Sequence, residues 1–208
     1  MMIIGVTGIS GSGKTTVTRM LAEMGGYAVE ADPLAHKLMQ KGQPAYNDIV
    51  AVFGAGILDD KNEIHRPALG QIVFENKEKL TQLEGVIHPK VSAITTALIA
   101  HARTTGLYKF AIIDAPLLIE AGMHKNCHSC WLITASYATR LSRIMARDNI
   151  TQEAAEKRLA SRTGDEALRP YADVIIENNE QDQCLVVLRK KVAKALETTI
   201  SQGKYIHF

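Results

Sequence analysis

The residues best suited to chemistry lie at the start of the chain. Gly8-Ile9-Ser10-Gly11-Ser12-Gly13-Lys14-Thr15 has the spacing G-x-x-x-x-G-K-[ST]. Glycines at 8, 11 and 13 permit the positive φ angles that turn successive backbone N–H groups toward one anion. Lys14 has the reach and charge for the β- and γ-phosphates of a nucleoside triphosphate. The Thr15 hydroxyl suits the Mg²⁺ ion that bridges them. The motif follows an apolar strand-like segment and opens a helix-like one, which would add unpaired N–H groups and the positive end of a helix dipole. That context favours a phosphate cradle over a Gly-rich turn with a solvated lysine. The motif specifies a nucleoside triphosphate and leaves the reaction open.

A second group is basic. A helix over 136–148 has Tyr137, Leu141, Ile144 and Met145 as its buried stripe and carries Arg140, Arg143 and Arg147 at i, i+3 and i+7 on another face. Arg158 and Arg162 are four apart on the next helix. Guanidinium forks suit phosphate oxygens, and phosphoryl transfer needs positive charge and exclusion of water, so a basic lid is expected. The alternative is a solvated face, with Glu153, Glu156 and Lys157 as neighbours. No N-K-x-D guanine-reading segment is present: Asn76-Lys77 continues as Glu78-Lys79, and no D-x-x-G switch element is evident. A kinase therefore fits better than a GTPase switch.

Single residues remain open between two roles. Asp32 is expected at the carboxyl end of the second strand, where it either accepts a hydroxyl proton or caps a helix with Pro33 at its first position. Asp114 either holds a water of the Mg²⁺ shell or caps the loop after the third strand. His124, Cys127, His128 and Cys130 contain a C-x-x-C with neighbouring histidines, a zinc-like set. Cys130 leads into an apolar run, however, and adjacent Cys127 and His128 are awkward for a tetrahedral site, so small apolar side chains are expected and no zinc.

The elements that must position these groups follow from the apolar pattern. Segments 2–7, 27–31, 109–114, 130–134 and 173–176 read as strands, most of them continuously apolar, the pattern of strands buried on both faces. Helical stretches between them argue for βαβ units and a parallel sheet. Residues 32–106 contain no convincing strand; Pro44, Pro67 and Pro89 each sit near a plausible helix start, so this stretch reads as a helical insertion. A second, charged insertion covers 148–170 with Thr151 as an N-cap. A last helix over 183–199 presents Leu185, Leu188, Val192, Ala195 and Leu196 to the sheet.

The 208 residues, 46% hydrophobic, suffice for one core with an inserted piece. A net charge of +2 argues against a generic nucleic-acid or membrane-surface binder. No run reaches the ~20 apolar residues of a membrane span; the segment 110–119 is broken by Asp114 and Pro116. No basic segment precedes the first apolar stretch, and Cys127, Cys130 and Cys184 make no disulfide framework, so a reducing cytoplasm is expected. Nothing points to an obligatory protein partner.

Along nearly its whole length the chain resembles the dephospho-coenzyme A kinase family. The matching pieces come in the family order: Thr7-Gly8 with Gly11-Ser12-Gly13-Lys14-Thr15-Thr16-Val17, Ala31-Asp32, Gly42-Gln43-Pro44-Ala45, Phe53-Gly54, Arg66 with Leu69-Gly70 and Val73-Phe74, and His88-Pro89. Pro116-Leu117-Leu118-Ile119-Glu120, Arg143 with Arg147-Asp148, Arg158, and Ala172-Asp173 with Ile176 and Asn178 complete the set. The resemblance implies an α/β P-loop nucleotide-kinase fold with a five-stranded parallel sheet flanked by helices. It divides the chain into a nucleotide-binding core (1–31, 107–147 and 171–208), a helical coenzyme A subdomain (32–106) and a helical lid (148–170).

The implied reaction is ATP-dependent phosphorylation of the ribose 3′-hydroxyl of dephospho-coenzyme A, with ATP and Mg²⁺ as cofactors. The implied catalytic set is Asp32 as base with Lys14, Arg143 and Arg147. Gly8, Ser10, Gly11, Ser12, Gly13, Lys14, Thr15 and Thr16 would hold the nucleotide, and Thr15 and Asp114 the metal. Asp32, Arg66, His88, Pro116, Leu117, Glu120 and Arg158 would meet the acceptor. The chain departs from the usual family residues at Ile9-Ser10, Glu30, His36, Ser92 and Arg162. A kinase for another nucleoside or small hydroxyl compound, and a nucleotide-binding switch without turnover, are the alternatives.

Overall fold

The computed structural model describes residues 1–160, 164–179 and 185–202. In chain order the elements are β1 (Met2–Thr7), α1 (Lys14–Glu23), β2 (Gly26–Glu30), α2 (Ala31–Leu38), α3 (Tyr46–Phe53), α4 (Arg66–Glu75), α5 (Lys77–Thr105) and β3 (Phe110–Asp114). They continue with β4 (Ser129–Thr134), α6 (Tyr137–Asp148), α7 (Gln152–Ala160), α8 (Asp165–Leu168), β5 (Val174–Glu177) and α9 (Leu185–Gln202). The strands form one five-stranded parallel sheet in the order β2-β3-β1-β4-β5. The central strands β3 and β4 are buried at every residue, which explains their uninterrupted apolar runs; the edge strands β2 and β5 are only partly covered.

The chain divides into two compact units, Glu30–Ala100 and the remainder, Met1–Val29 with the described residues from His101 onward. The second of these holds the sheet. On one sheet face Ile4, Val6, Phe110, Ile112, Trp131 and Ile133 pack against Val17, Met20 and Leu21 of α1 and Leu188, Val192 and Leu196 of α9. Burial of each such side chain contributes on the order of 1.5–3 kcal/mol. The opposite face is equally tight. A Cβ on Gly5 would come within 2.6 Å of Leu118 Cδ2 and 2.7 Å of Cys127 Sγ, so glycine sits in the central strand because nothing larger fits. No helix among the described residues is long and apolar enough to cross a membrane.

The Glu30–Ala100 unit is helical apart from a short hairpin-like loop closed by the Leu58–Ile64 bridge. Ile49, Ile57 and Leu69 are buried. The Tyr46 hydroxyl donates to the Asn62 carbonyl, and Lys90 Nζ lies 2.7 Å from Asp48 Oδ2. Pro67 occupies the first turn of α4, where its missing N–H costs nothing.

Several expectations need correction. Pro89 does not start a helix: it lies inside the 29-residue α5, where the absent N–H leaves the Gly85 carbonyl without its helical donor. Strand β2 ends at Glu30 and α2 begins at Ala31, one residue earlier than the apolar run suggests. Tyr137 is 52% exposed and does not join the buried stripe of α6, which rests on Ile144. Thr151 accepts from Ala154 N at 3.4 Å, as an N-cap does. The expected start of the last helix at Gln183 lies outside the described residues, as do Arg162 and Cys184.

Candidate active site

The loop after β1 is built from both ends. In the sheet register Val6 stands opposite Asp114, which sets the last residue of β3 beside the point where the loop departs. The chain leaves β1 toward β2 on one side and leaves β3 toward β4 on the other, the topology that opens a crevice at the strand carboxyl ends. Gly13 is the N-cap of α1 at φ 87°, a left-handed conformation, and a Cβ there would overlap Asn178 Nδ2. Glycine is thus required at 13 by backbone angle and by space.

Two side chains fasten the loop from outside. Arg143 Nη1 donates to the carbonyls of Asn178 (3.0 Å), Gly11 (3.3 Å) and Ser12 (3.5 Å). Asn178 is buried; its Nδ2 donates to Ser12 O at 2.9 Å, its Oδ1 accepts from Arg143 Nη2 at 3.4 Å, and its backbone N–H bonds Thr134 O at 2.8 Å. No peptide is cis. In a trans peptide C=O and N–H point in opposite directions. The Ser12 carbonyl faces Arg143 and Asn178, so the Gly13 N–H points away from them, to the side left for an anion.

Lys14 pairs with Asp114 Oδ1, and the Thr18 hydroxyl donates to Asp114 Oδ2 at 2.7 Å. Asp114 is 4% exposed, so the ammonium compensates a carboxylate that burial would otherwise penalise. Asp114 therefore caps no loop; it holds the lysine and the first turns of α1. The Thr15 hydroxyl is exposed at the start of α1. A hydroxyl and a carboxylate are the hard oxygen donors that Mg²⁺ takes, and both oxygens of Asp114 are bonded here to Lys14 and Thr18.

The arginines divide. Arg143 faces the loop carbonyls, whereas Arg147 turns to its neighbour, with Nε and Nη2 at 2.7 and 2.8 Å from the two carboxylate oxygens of Asp148. Arg158 Nη1 on α7 reaches the same carboxylate at 2.6 Å. These bonds, first from Arg147 and then from Arg158, hold the Asp148 carboxyl below its ordinary range. Asp148 thus brings the two arginines together across α6 and α7; Glu156 instead accepts from Gln152.

In the helical unit Asp32 is the second residue of α2, exposed, with Glu30 in the N-cap position. Asp32 is therefore not the cap. Nor does it share a strand face with Glu30, because the backbone turns helical between them. Arg66 opens α4 and its Nη2 lies 2.7 Å from His36 Nε2. His88 is half-buried in the middle of α5 rather than at a helix end. In the sheet unit the Pro116 carbonyl accepts from the Thr7 hydroxyl at 3.2 Å, Leu117 is half-buried and Glu120 is exposed.

Sequence reasoning gave no role to Thr18, Asp148 or Asn178. Thr18 stands one helical turn beyond Lys14, the one spacing signal that could have found it. The cysteine cluster is inward. The Cys127 thiol donates to Met123 O at 3.5 Å, Cys130 Sγ to His124 O at 3.8 Å, and His128 Nδ1 accepts from Ile3 N at 3.1 Å. The hydrogen bond to Cys130, followed by burial, pushes the Cys127 thiol up. Among the described residues no group of three or more His, Cys, Asp or Glu is placed to hold a metal ion.

The sequence profile of the family described as Dephospho-CoA kinase matches residues 2–183. The dephospho-CoA kinase of Fusobacterium nucleatum is 41% identical over 198 residues, 95% of this chain and 98% of that one. Among solved structures, TT1252 from Thermus thermophilus superposes with a TM-score of 0.75 at 25% identity, and a dephospho-CoA kinase from Campylobacter jejuni with 0.65 at 29%, each pairing 98% of both chains. A family profile that matches residues 2–183 and a relative 41% identical over 95% of the chain show that the chain belongs to the dephospho-CoA kinase family.

Proposed function

We propose that this chain transfers the γ-phosphoryl group of ATP to the ribose 3′-hydroxyl of dephospho-CoA, giving CoA and ADP, the last step of coenzyme A synthesis. The observation that carries the reading is the Gly8–Thr15 loop, fastened by Arg143 and Asn178 with Lys14 at its mouth, in a chain that the family profile matches over 2–183. The loop amides from Gly11 to Thr16 receive the phosphates. Lys14 exchanges its carboxylate partner for phosphate oxygens and offsets charge on the group in transfer. Thr15 and Asp114 would hold Mg²⁺, which when bound neutralises phosphate charge.

Asp32 orients the acceptor hydroxyl and takes its proton as the oxygen bonds to phosphorus. The bond from phosphorus to the β–γ bridging oxygen breaks, and its electron pair leaves with ADP. Phosphoryl transfer depends mainly on positioning and charge stabilisation, so the base works chiefly by alignment. Arg147 and Arg158, pre-assembled on Asp148, supply positive charge from the lid. Arg143 acts from behind the loop, through the carbonyls it fastens. Arg66, His88, Pro116, Leu117 and Glu120 belong to the acceptor side. The free thiols Cys127 and Cys130 suit a reducing cytoplasm.

ADP release from ATP should require dephospho-CoA and yield CoA in equal amount. Turnover with another nucleoside and none with dephospho-CoA would overturn the reading, as would nucleotide binding without turnover.

Lys14→Ala should abolish transfer and also leave Asp114 as an uncompensated buried charge, costing about 3–5 kcal/mol. The double variant Lys14→Met, Asp114→Asn should recover most of that stability in denaturant unfolding and remain inactive. Near-wild-type turnover in the double variant would remove Lys14 from the mechanism.

Asp32→Asn should lower kcat by about 10²–10⁴ with little change in the KM for ATP, the usual value of a positioned base. Glu30→Gln, at the N-cap position, should cost far less. The reverse ranking of the two kcat values would assign the base to Glu30.

A further inference from the structure

Asp32, His36 and Arg66 form one group within the helical unit. Asp32 and His36 are one turn apart on α2. Arg66 reaches His36 from the start of α4, with Nη2 2.7 Å from His36 Nε2. A guanidinium has only donors, so His36 Nε2 accepts. The imidazole is therefore neutral with its proton on Nδ1. A protonated imidazole has no acceptor, and would set a second cation against Arg66.

The charged groups that act on His36 are Arg66 from α4 and Asp32 from its own helix. His36 is exposed; the partial loss of solvation of its ring first, then Arg66, lower its titration from the ordinary imidazole value, and Asp32 opposes them. The contact thus persists through neutral pH and is lost on acidification below the ordinary imidazole range.

We infer that His36 is a positioning residue for the acceptor: its neutral imidazole holds the Arg66 guanidinium at the helix that carries Asp32 one turn away, so that Arg66 binds a phosphate group of the acceptor while Asp32 takes the hydroxyl. The inference rests on the acceptor-side reading of Asp32 and Arg66. It assigns His36 a role in acceptor affinity and none in nucleotide binding.

Two measurements on the full chain test it. Imidazole ¹⁵N spectra report the tautomer and titration of His36. Steady-state kinetics against pH report the KM for dephospho-CoA and for ATP. The protonated nitrogen should be Nδ1, and Arg66→Ala should raise the titration midpoint. The wild-type KM for dephospho-CoA should rise about tenfold as pH falls through that midpoint, the size of one charge-assisted hydrogen bond, while the KM for ATP stays level. His36→Gln, whose side-chain oxygen accepts at any pH, should keep most of the acceptor affinity and lose the acid rise. His36→Lys should bind the acceptor poorly throughout. A proton on Nε2, or the same acid rise in His36→Gln, overturns the inference. If Arg66→Ala raises the acceptor KM without moving the His36 midpoint, the inference alone fails. If Arg66→Ala moves the midpoint and leaves the KM unchanged, the acceptor-side reading of Arg66 fails and takes the inference with it.

Discussion

A backbone loop that turns an N–H toward an anion must turn a carbonyl the other way, and a carbonyl turned inward needs a donor. The rest of the sheet unit is arranged around that need. Arg143 and Asn178 meet the carbonyls of Gly11 and Ser12. Asn178 is itself fixed to Thr134, the last residue of β4. The space behind Gly13 is filled by the Asn178 amide, which excludes any side chain there. Loop, sheet end and α6 are thereby one hydrogen-bonded assembly. Because α6 also carries Arg147 and ends at Asp148, this pair stands on a helix that is bonded to the loop.

Charge is handled by the same economy of partners. A carboxylate as buried as Asp114 would be costly alone, and the loop lysine neutralises it. Asp148 does the corresponding work for Arg147 and Arg158, though nearer to solvent, where the pairing orders the forks more than it stabilises the fold. In both places an acidic residue fixes the position of a basic side chain.

Much of this was legible in the sequence. Strand β1 has the expected limits because its apolar run ends sharply at Thr7 and the glycine loop. The parallel sheet followed from continuous apolar runs, which the full burial of β3 and β4 explains. What escaped were facts of direction. The spacing of Arg140, Arg143 and Arg147 shows a common face but not that Arg143 would meet backbone carbonyls. The apolar run into Ala31 hid the change to helix that parts Asp32 from Glu30. Pro89 reads as a helix start because proline is ordinarily a breaker, yet α5 is long enough to tolerate one lost bond. Asn178 carries no local signal of its role, since even the nearest of its partners, Arg143, lies 35 residues away in sequence and Ser12 lies 166 away.

We propose that Arg143 and Asn178 hold the loop in its phosphate-binding form independently of nucleotide. Amide hydrogen exchange over residues 11–16 in nucleotide-free wild type and Asn178→Ala, paired with nucleotide titrations, tests it most directly. The account predicts faster exchange in the loop of the variant and nucleotide binding about tenfold weaker, the loss of one buried hydrogen-bonding partner, with protection in the core strands retained. Loop exchange and affinity equal to wild type in a folded Asn178→Ala protein would contradict it.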